Sequence, residues 1–214
     1  MRWTVGILAG GRSRRMGQDK ARLSYGDGTL LSHMLRRFPG SVLLSVAGQE
    51  DYADILETMP EVTCCPDRIP DCGPLGGLYS LLCSCPEEAL FVCPVDVPLL
   101  PERLPERLAE AMRPEEDALW LSDETGRVHP LCGLYRKRIC AEVEAQILAG
   151  CLRVMELKKH IRVRALPAGE LGISDMELLN CNVPERYELA CSLAQKKSGK
   201  PEGKEDERWT RRKT

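Results

Sequence analysis

The chain has 214 residues, 43% hydrophobic, 29% charged and 5% aromatic, with a formal charge of −2. That length builds one domain with a substantial core, or a domain and a tail, and so small a charge gives no general reason to bind nucleic acid. No apolar run reaches the roughly 18 residues of a membrane span, and Met1-Arg2-Trp3-Thr4 leads into too short an apolar stretch for an export signal. A cytoplasmic protein away from membranes is expected.

Residues 3–8 read as a buried strand stopped by Gly10-Gly11. A polar loop runs to Lys20, a helix is predicted over 30–38 with Pro39-Gly40 ending it, and 41–46 is the second strand. A helix over 51–59 and a short strand over 62–65 precede a Pro-, Asp- and Gly-rich loop at 66–73. Residues 75–83 are predicted helical. Residues 89–93 form a continuous apolar run too short for a helix, which fits a strand buried on both faces. A helix over 101–112 follows, then strands at 118–121 and 129–135 around the turn Asp123-Glu124-Thr125-Gly126. Helices over 138–149 and 152–160, a strand over 161–166 and a helix over 184–194 complete the pattern.

Strands alternating with helices predict an α/β fold, a Rossmann-like three-layer sandwich with a mostly parallel central sheet. In such sheets ligands bind beyond the carboxyl ends of the strands. Residues 1–194 form the expected domain. From 195 to 214 there are eight Lys or Arg against four Asp or Glu, and Trp209 is the only large apolar residue. That composition predicts a charged, disordered tail.

Eleven cysteines, an odd number, without an export signal read as reduced thiols. Cys64-Cys65 and Cys83-Ser84-Cys85 lack the spacing of zinc knuckles or redox pairs, so the cysteines are expected to act as small hydrophobes.

Chemistry concentrates after the first strand, in Leu8-Ala9-Gly10-Gly11-Arg12-Ser13-Arg14-Arg15-Met16-Gly17-Gln18-Asp19-Lys20. Paired glycines bring backbone N–H groups close to a ligand, and residues 12–22 hold five basic side chains against one acid. Positive charge around exposed amides suits a polyphosphate. The spacing is neither a Walker loop nor a dinucleotide fingerprint. Lys20 is the most specific cation, able to reach phosphate oxygens, with Arg15 adding charge nearby. Asp96, just past the 89–93 strand, is placed to hold Mg²⁺, which takes one or two carboxylates plus phosphate oxygens and water. Asn180 and Asn182 lie two apart, so an extended segment would send both the same way. His33 is expected on a helix surface, His129 in a shaping role, and His160 at a helix end. No nucleophile–histidine arrangement follows from spacing.

The loop resembles the signature of the molybdenum cofactor guanylyltransferase (MobA) family. The similarity continues in order through Gly73-Pro74-Leu75-Gly76-Gly77, Pro94-Val95-Asp96-Val97-Pro98, His129-Pro130 and Asn180-Cys181-Asn182-Val183-Pro184, spanning residues 1–194. The resemblance implies a nucleotidyltransferase of the GT-A-like kind that transfers GMP from GTP to the terminal phosphate of Mo-molybdopterin. It implies that Leu8, Ala9, Gly10, Gly11, Lys20, Asp96 and Asp67 (or Asp71, where the loop length varies) contact the nucleotide. It further implies that Asp96 binds the metal, that Lys20 and Arg15 serve catalysis, and that Asn180 and Asn182 serve the pterin substrate or the catalytic centre. Molybdoenzymes and other cofactor-biosynthesis proteins are candidate partners. Where the family often has an asparagine after the second strand, this chain has Ser45. The alternatives are a CTP-dependent or sugar-1-phosphate nucleotidyltransferase of the same fold, and a non-catalytic molybdopterin- or nucleotide-binding protein.

Overall fold

The computed structural model describes residues 1–9, 19–48 and 52–198, the last four by backbone alone. β1 (Trp3–Leu8) is buried from Thr4 onward, and β6 (Ala89–Pro94) is buried through Cys93. Both are central strands, as their unbroken apolar runs predict. β4 (Val42–Val46) and β5 (Val62–Pro66) extend the sheet on one side of β1. On the other side lie β6, β8 (Val128–Arg136), β7 (Ala118–Ser122) and β9 (Val163–Pro167). The order is β5-β4-β1-β6-β8-β7-β9, and β8 alone runs against its neighbours.

The period-two alternation of the strands divides the core into two layers. Val5, Ile7, Val42, Leu44 and Phe91 face a layer built with α1 (Leu30–Arg37), α4 (Leu104–Ala111) and α6 (Pro184–Ser198). Leu8, Leu43, Leu90 and Val92 face the opposite layer, with α3 (Gly73–Ser84) and α5 (Cys140–Leu148). Phe91 has no exposed surface, and truncating such a side chain costs about 3–5 kcal/mol. The predicted three-layer sandwich is therefore the observed one.

α1 starts on a capping box, Thr29 Oγ1 accepting from Ser32 N–H at 3.1 Å and Ser32 Oγ from Thr29 N–H at 2.8 Å. It buries Leu30, Leu31, Met34 and Leu35, the spacing of one helix face. A small hairpin, β2 (Ser24–Tyr25) and β3 (Gly28–Thr29), precedes it and was absent from the sequence reading.

Three predicted elements differ. The 51–59 helix is the four-residue α2 (Ala53–Leu56), entered from Tyr52 at a φ of 63° and separated by only three residues from Pro60. The 152–160 helix is a 3₁₀ segment, Val154–Lys159, burying only Val154 and Leu157, too little apolar surface to sustain a longer α-helix. α6 runs through Ser198, four residues into the segment read as tail; residues 199–214 lie outside the described residues.

Candidate active site

β5, β4, β1 and β6 run parallel, so their carboxyl ends share one edge. Leu8 pairs with Ser45 on one side and Pro94 on the other, and Val46 with Pro66. The hydrogen bonds continue one step past the strands: Ala9 N–H donates to Ser45 C=O (3.2 Å), Val95 N–H to Leu8 C=O (3.0 Å) and Asp67 N–H to Val46 C=O (3.0 Å). The chain moves from β1 outward to β4 and returns to β6 on the opposite side, so a crevice opens beyond the carboxyl ends of β1 and β6. It holds a cavity of about 390 Å³, lined among others by Leu8, Ala9, Lys20, Asp96, Asn180 and Asn182. That volume suits a small-molecule ligand.

Three of these side chains converge. Lys20 Nζ lies 3.2 Å from Asp96 Oδ2 and also donates to Asn182 Oδ1. The Lys20 and Asp96 side chains keep only 19% and 14% of their exposure. These residues are 76 and 162 positions apart from Lys20, so no local sequence rule joins them. Lys20 is presented by a short 3₁₀ turn, Lys20–Arg22, capped where Asp19 Oδ1 accepts from Ala21 N–H at 3.0 Å. Asp96 is pinned through its own carbonyl, which accepts from Cys181 N–H at 2.7 Å. That one bond ties the Asn180–Asn182 segment to the aspartate. Asn180 Oδ1 in turn accepts from Arg186 on α6 at 3.0 Å.

α1 braces the same loop. His33 Nε2 meets Pro98 C=O at 3.1 Å, and Arg37 donates to Leu100 C=O. His33 was expected on the surface; instead its ring sits edge-on to Tyr25 with centroids 4.6 Å apart. Burial holds the His33 imidazole below its ordinary range, so the neutral ring donates Nε2–H to the carbonyl.

Asp67 leaves β5 at the same edge, yet it stands two strands from β1 and does not line the cavity. Ser45 Oγ approaches its Oδ1 at 3.5 Å, and burial pushes the Asp67 carboxyl up, with Ser45 acting in the opposite direction. Ser45 points toward α3, where only a glycine fits: a Cβ on Gly77 would lie 2.6 Å from Ser45 Oγ and 2.7 Å from Leu8 Cδ2. Gly77 thus lets α3 approach the end of β1 closely. Gly10, Gly11 and Arg15 lie outside the described residues.

The sequence reading missed the contribution of the β7–β8 hairpin. Arg127 and Cys132 line the cavity, as does His129, for which only a shaping role was expected. Asp123 builds the turn by accepting from Thr125 Oγ1 (2.6 Å) and from Arg127 N–H (2.9 Å), and it holds His129 Nε2 at 3.2 Å. Thr125 and then His129 draw the Asp123 carboxyl down to about 2. Between Trp120 and Leu121 the partner on β8 jumps from Gly133 to His129, so the extra residues 130–132 bulge from β8 here. The turn signal Asp123–Gly126 was visible in sequence, but its fold over the β6 end was not.

Neither Cys132, which lines the cavity, nor Cys181, enclosed between Asn180 and Asn182, is a good nucleophile. Burial, reinforced by Asp96, pushes both up to about 12. Both are neutral at pH 7, when the thiolate is the reactive form. What the site offers is a mobile ammonium, a carboxylate, two amide side chains and strand-end backbone.

The family model described as "MobA-like NTP transferase domain" matches residues 5–163. A probable molybdenum cofactor guanylyltransferase of Carboxydothermus hydrogenoformans is 33% identical over 190 residues, 86% of this chain and 93% of that protein. A molybdenum cofactor guanylyltransferase of Cereibacter sphaeroides is 35% identical over 198 residues, 89% and 96% of the two chains. Among solved structures, molybdopterin-guanine dinucleotide biosynthesis protein A of Archaeoglobus fulgidus superposes with a TM-score of 0.78 at 20% identity, over 90% of this chain and 99% of that one. The 2-C-methyl-D-erythritol 4-phosphate cytidylyltransferase of Thermus thermophilus gives 0.65 at 19% identity, over 91% and 100%; these two likenesses concern the fold. With the family model matched over most of its length and relatives at 33% and 35% identity covered almost end to end, the chain belongs to the MobA-like NTP transferase family and is a nucleotidyltransferase.

Proposed function

We propose that this nucleotidyltransferase transfers GMP from GTP to the terminal phosphate of Mo-molybdopterin, releasing pyrophosphate. The names of the Carboxydothermus and Cereibacter relatives support the choice of substrates. The observation that carries the chemistry is Lys20 Nζ held between Asp96 Oδ2 and Asn182 Oδ1 inside the cavity. A cation already sits between two hard oxygen donors, so the donor set fits Mg²⁺. Among the described residues no group of three or more His, Cys, Asp or Glu forms a metal cage, and Mg²⁺ needs none when phosphates and water complete its shell. Asp96 would hold the ion, which when bound neutralises charge on the phosphates.

The chain's own residues account for the rest. An incoming triphosphate competes with Asp96 for Lys20, and the ammonium moves onto phosphate oxygens as a compact point charge. The acceptor is a phosphate monoester, whose second pKa near 6 makes it mostly dianionic at neutral pH. Its oxygen attacks the α-phosphorus, the bond to the β-phosphate breaks, and pyrophosphate leaves with the electron pair. No proton has to be removed, which suits a cavity where the Cys132 thiol is neutral and His129 Nε2 is engaged by Asp123. Rate enhancement then rests on positioning and charge stabilisation. Asn180 and Asn182, at the mouth beside α6, are assigned to the pterin, and Leu8 and Ala9 to the nucleotide.

Ser45, in place of the amide common in the family, keeps CTP as the competing donor. A panel of GTP, CTP, ATP and UTP with molybdopterin and Mg²⁺, scored for pyrophosphate, decides. GTP is expected to lead by at least tenfold. A CTP lead would reassign the nucleotide, and no pyrophosphate from any donor would remove the reaction.

A further inference from the structure

Cys83 stands in the last turn of α3 and Cys140 opens α5. They are 57 residues apart in sequence, and their Sγ atoms are 3.2 Å apart in the fold. That is about 1.2 Å longer than an S–S bond, whose length is roughly 2.03–2.05 Å. Both residues are partly accessible, unlike the enclosed Cys93, Cys132 and Cys181. A second rung fixes the two helices beside them: Tyr79, one turn before Cys83, donates to Glu144 Oε1, one turn after Cys140, at 2.5 Å. The thiols therefore face each other across a helix pair already held in register.

From this juxtaposition we infer that Cys83 and Cys140 form a reversible disulfide site, closed by a small-molecule disulfide and reopened by thiols. The Cys83 thiolate attacks one sulfur of glutathione disulfide and releases one glutathione. Cys140 then gives up its proton and attacks the Cys83 sulfur, expelling the second. Two protein thiols are oxidised and one external disulfide is reduced to two thiols. Burial, with the adjacent Cys83 sulfur, pushes the Cys140 thiol up to about 12. The closed link ties α3 to α5. α3 also carries Pro74, in the cavity wall, at its other end, so the covalent state of the pair constrains the helix that fronts the active site. Because the link encloses a long loop, it restricts the unfolded chain and raises thermal stability.

The inference is independent of which nucleotide the enzyme uses. The test equilibrates the full chain in glutathione/glutathione-disulfide buffers, blocks residual thiols with N-ethylmaleimide, and measures intact mass and Tm. One intramolecular disulfide is expected, with Tm rising by about 5 °C over the reduced protein and returning on treatment with dithiothreitol. Cys83→Ser and Cys140→Ser should each abolish both the link and the shift, while Cys85→Ser and Cys151→Ser, at the neighbouring cysteines, retain them. Glutathione adducts without an internal link, or a link that persists in Cys83→Ser, would overturn the assignment.

Discussion

Two ion-pair clusters at opposite regions of the sheet use the same chemistry to different ends. On the β7–β9 side, Asp117 accepts from Arg162 N–H (2.9 Å), Arg138 Nε (2.7 Å) and Arg162 Nε (3.4 Å). Its neighbour Glu116 accepts from Arg113 N–H (2.8 Å) and from the Arg164 guanidinium. Burial alone would raise both carboxyls, yet their donors hold both below the ordinary carboxylate range. At the cavity, Asp96 instead receives Lys20, and Lys20 divides itself between Asp96 and Asn182. A carboxylate surrounded by fixed donors stabilises a fold. A carboxylate whose partner is a single flexible ammonium can exchange that partner for a ligand.

The sharpest way to break this contrast is Asp96→Asn. Pyrophosphate release should fall about 10³-fold, the scale of losing one charge-stabilising group, while Tm stays within about 2 °C of wild type. A loss under threefold would remove Asp96 from the chemistry. Lys20→Met should cost about 10²-fold in kcat/KM for the nucleotide, again with little change in Tm. Asp117→Asn should invert the pattern. Its arginine partners Arg138 and Arg162 are 49% and 67% exposed, so the loss is about 2 kcal/mol rather than the full cost of a buried pair. Tm should drop by about 4–6 °C, with kcat within twofold.

The pH dependence of Asp117 follows from its lowered folded value. Its stabilisation is complete above the ordinary 3.8 and is lost as pH falls through the folded value, so the Tm gap between wild type and Asp117→Asn should close in acid. The smallest effect concerns His33, whose folded value lies below the ordinary 6.5. Below 6.5 the unfolded chain binds the extra proton, so stability rises with pH through that range. Between pH 5 and 7 the wild-type Tm should climb more steeply than that of His33→Gln, which keeps a donor for Pro98. Parallel curves would show that the ring titrates as in solvent.

What was legible in the sequence was whatever burial writes locally. The apolar runs of β1, β4 and β6 located the central strands, and the carboxyl-edge rule then nominated Asp96, while Leu8 and Ala9 came from the family resemblance. The one-faced spacing of Leu30, Leu31, Met34 and Leu35 marked α1. Segments with little to bury misled: residues 51–59 and 152–160 carry helix-forming residues, but too few reach the core. Tyr25-Gly26-Asp27-Gly28 contained the signal of the small hairpin, yet two-residue strands leave no periodicity to read. Long-range pairings left no trace at all. Nothing in the spacing joins Lys20 to Asn182, His33 to Pro98, or Cys83 to Cys140, because the sheet order alone brings them together. The Lys20–Asn182 contact is the one that turns separate motifs into a site.

The most direct test of the exchangeable pair is a crystal structure with an α,β-methylene analogue of GTP and Mn²⁺, located by its anomalous signal. The account predicts the ion on Asp96 and Lys20 Nζ moved from that carboxylate to the phosphates, at the carboxyl ends of β1 and β6. An analogue and ion bound elsewhere, with Lys20 still paired to Asp96, would contradict it.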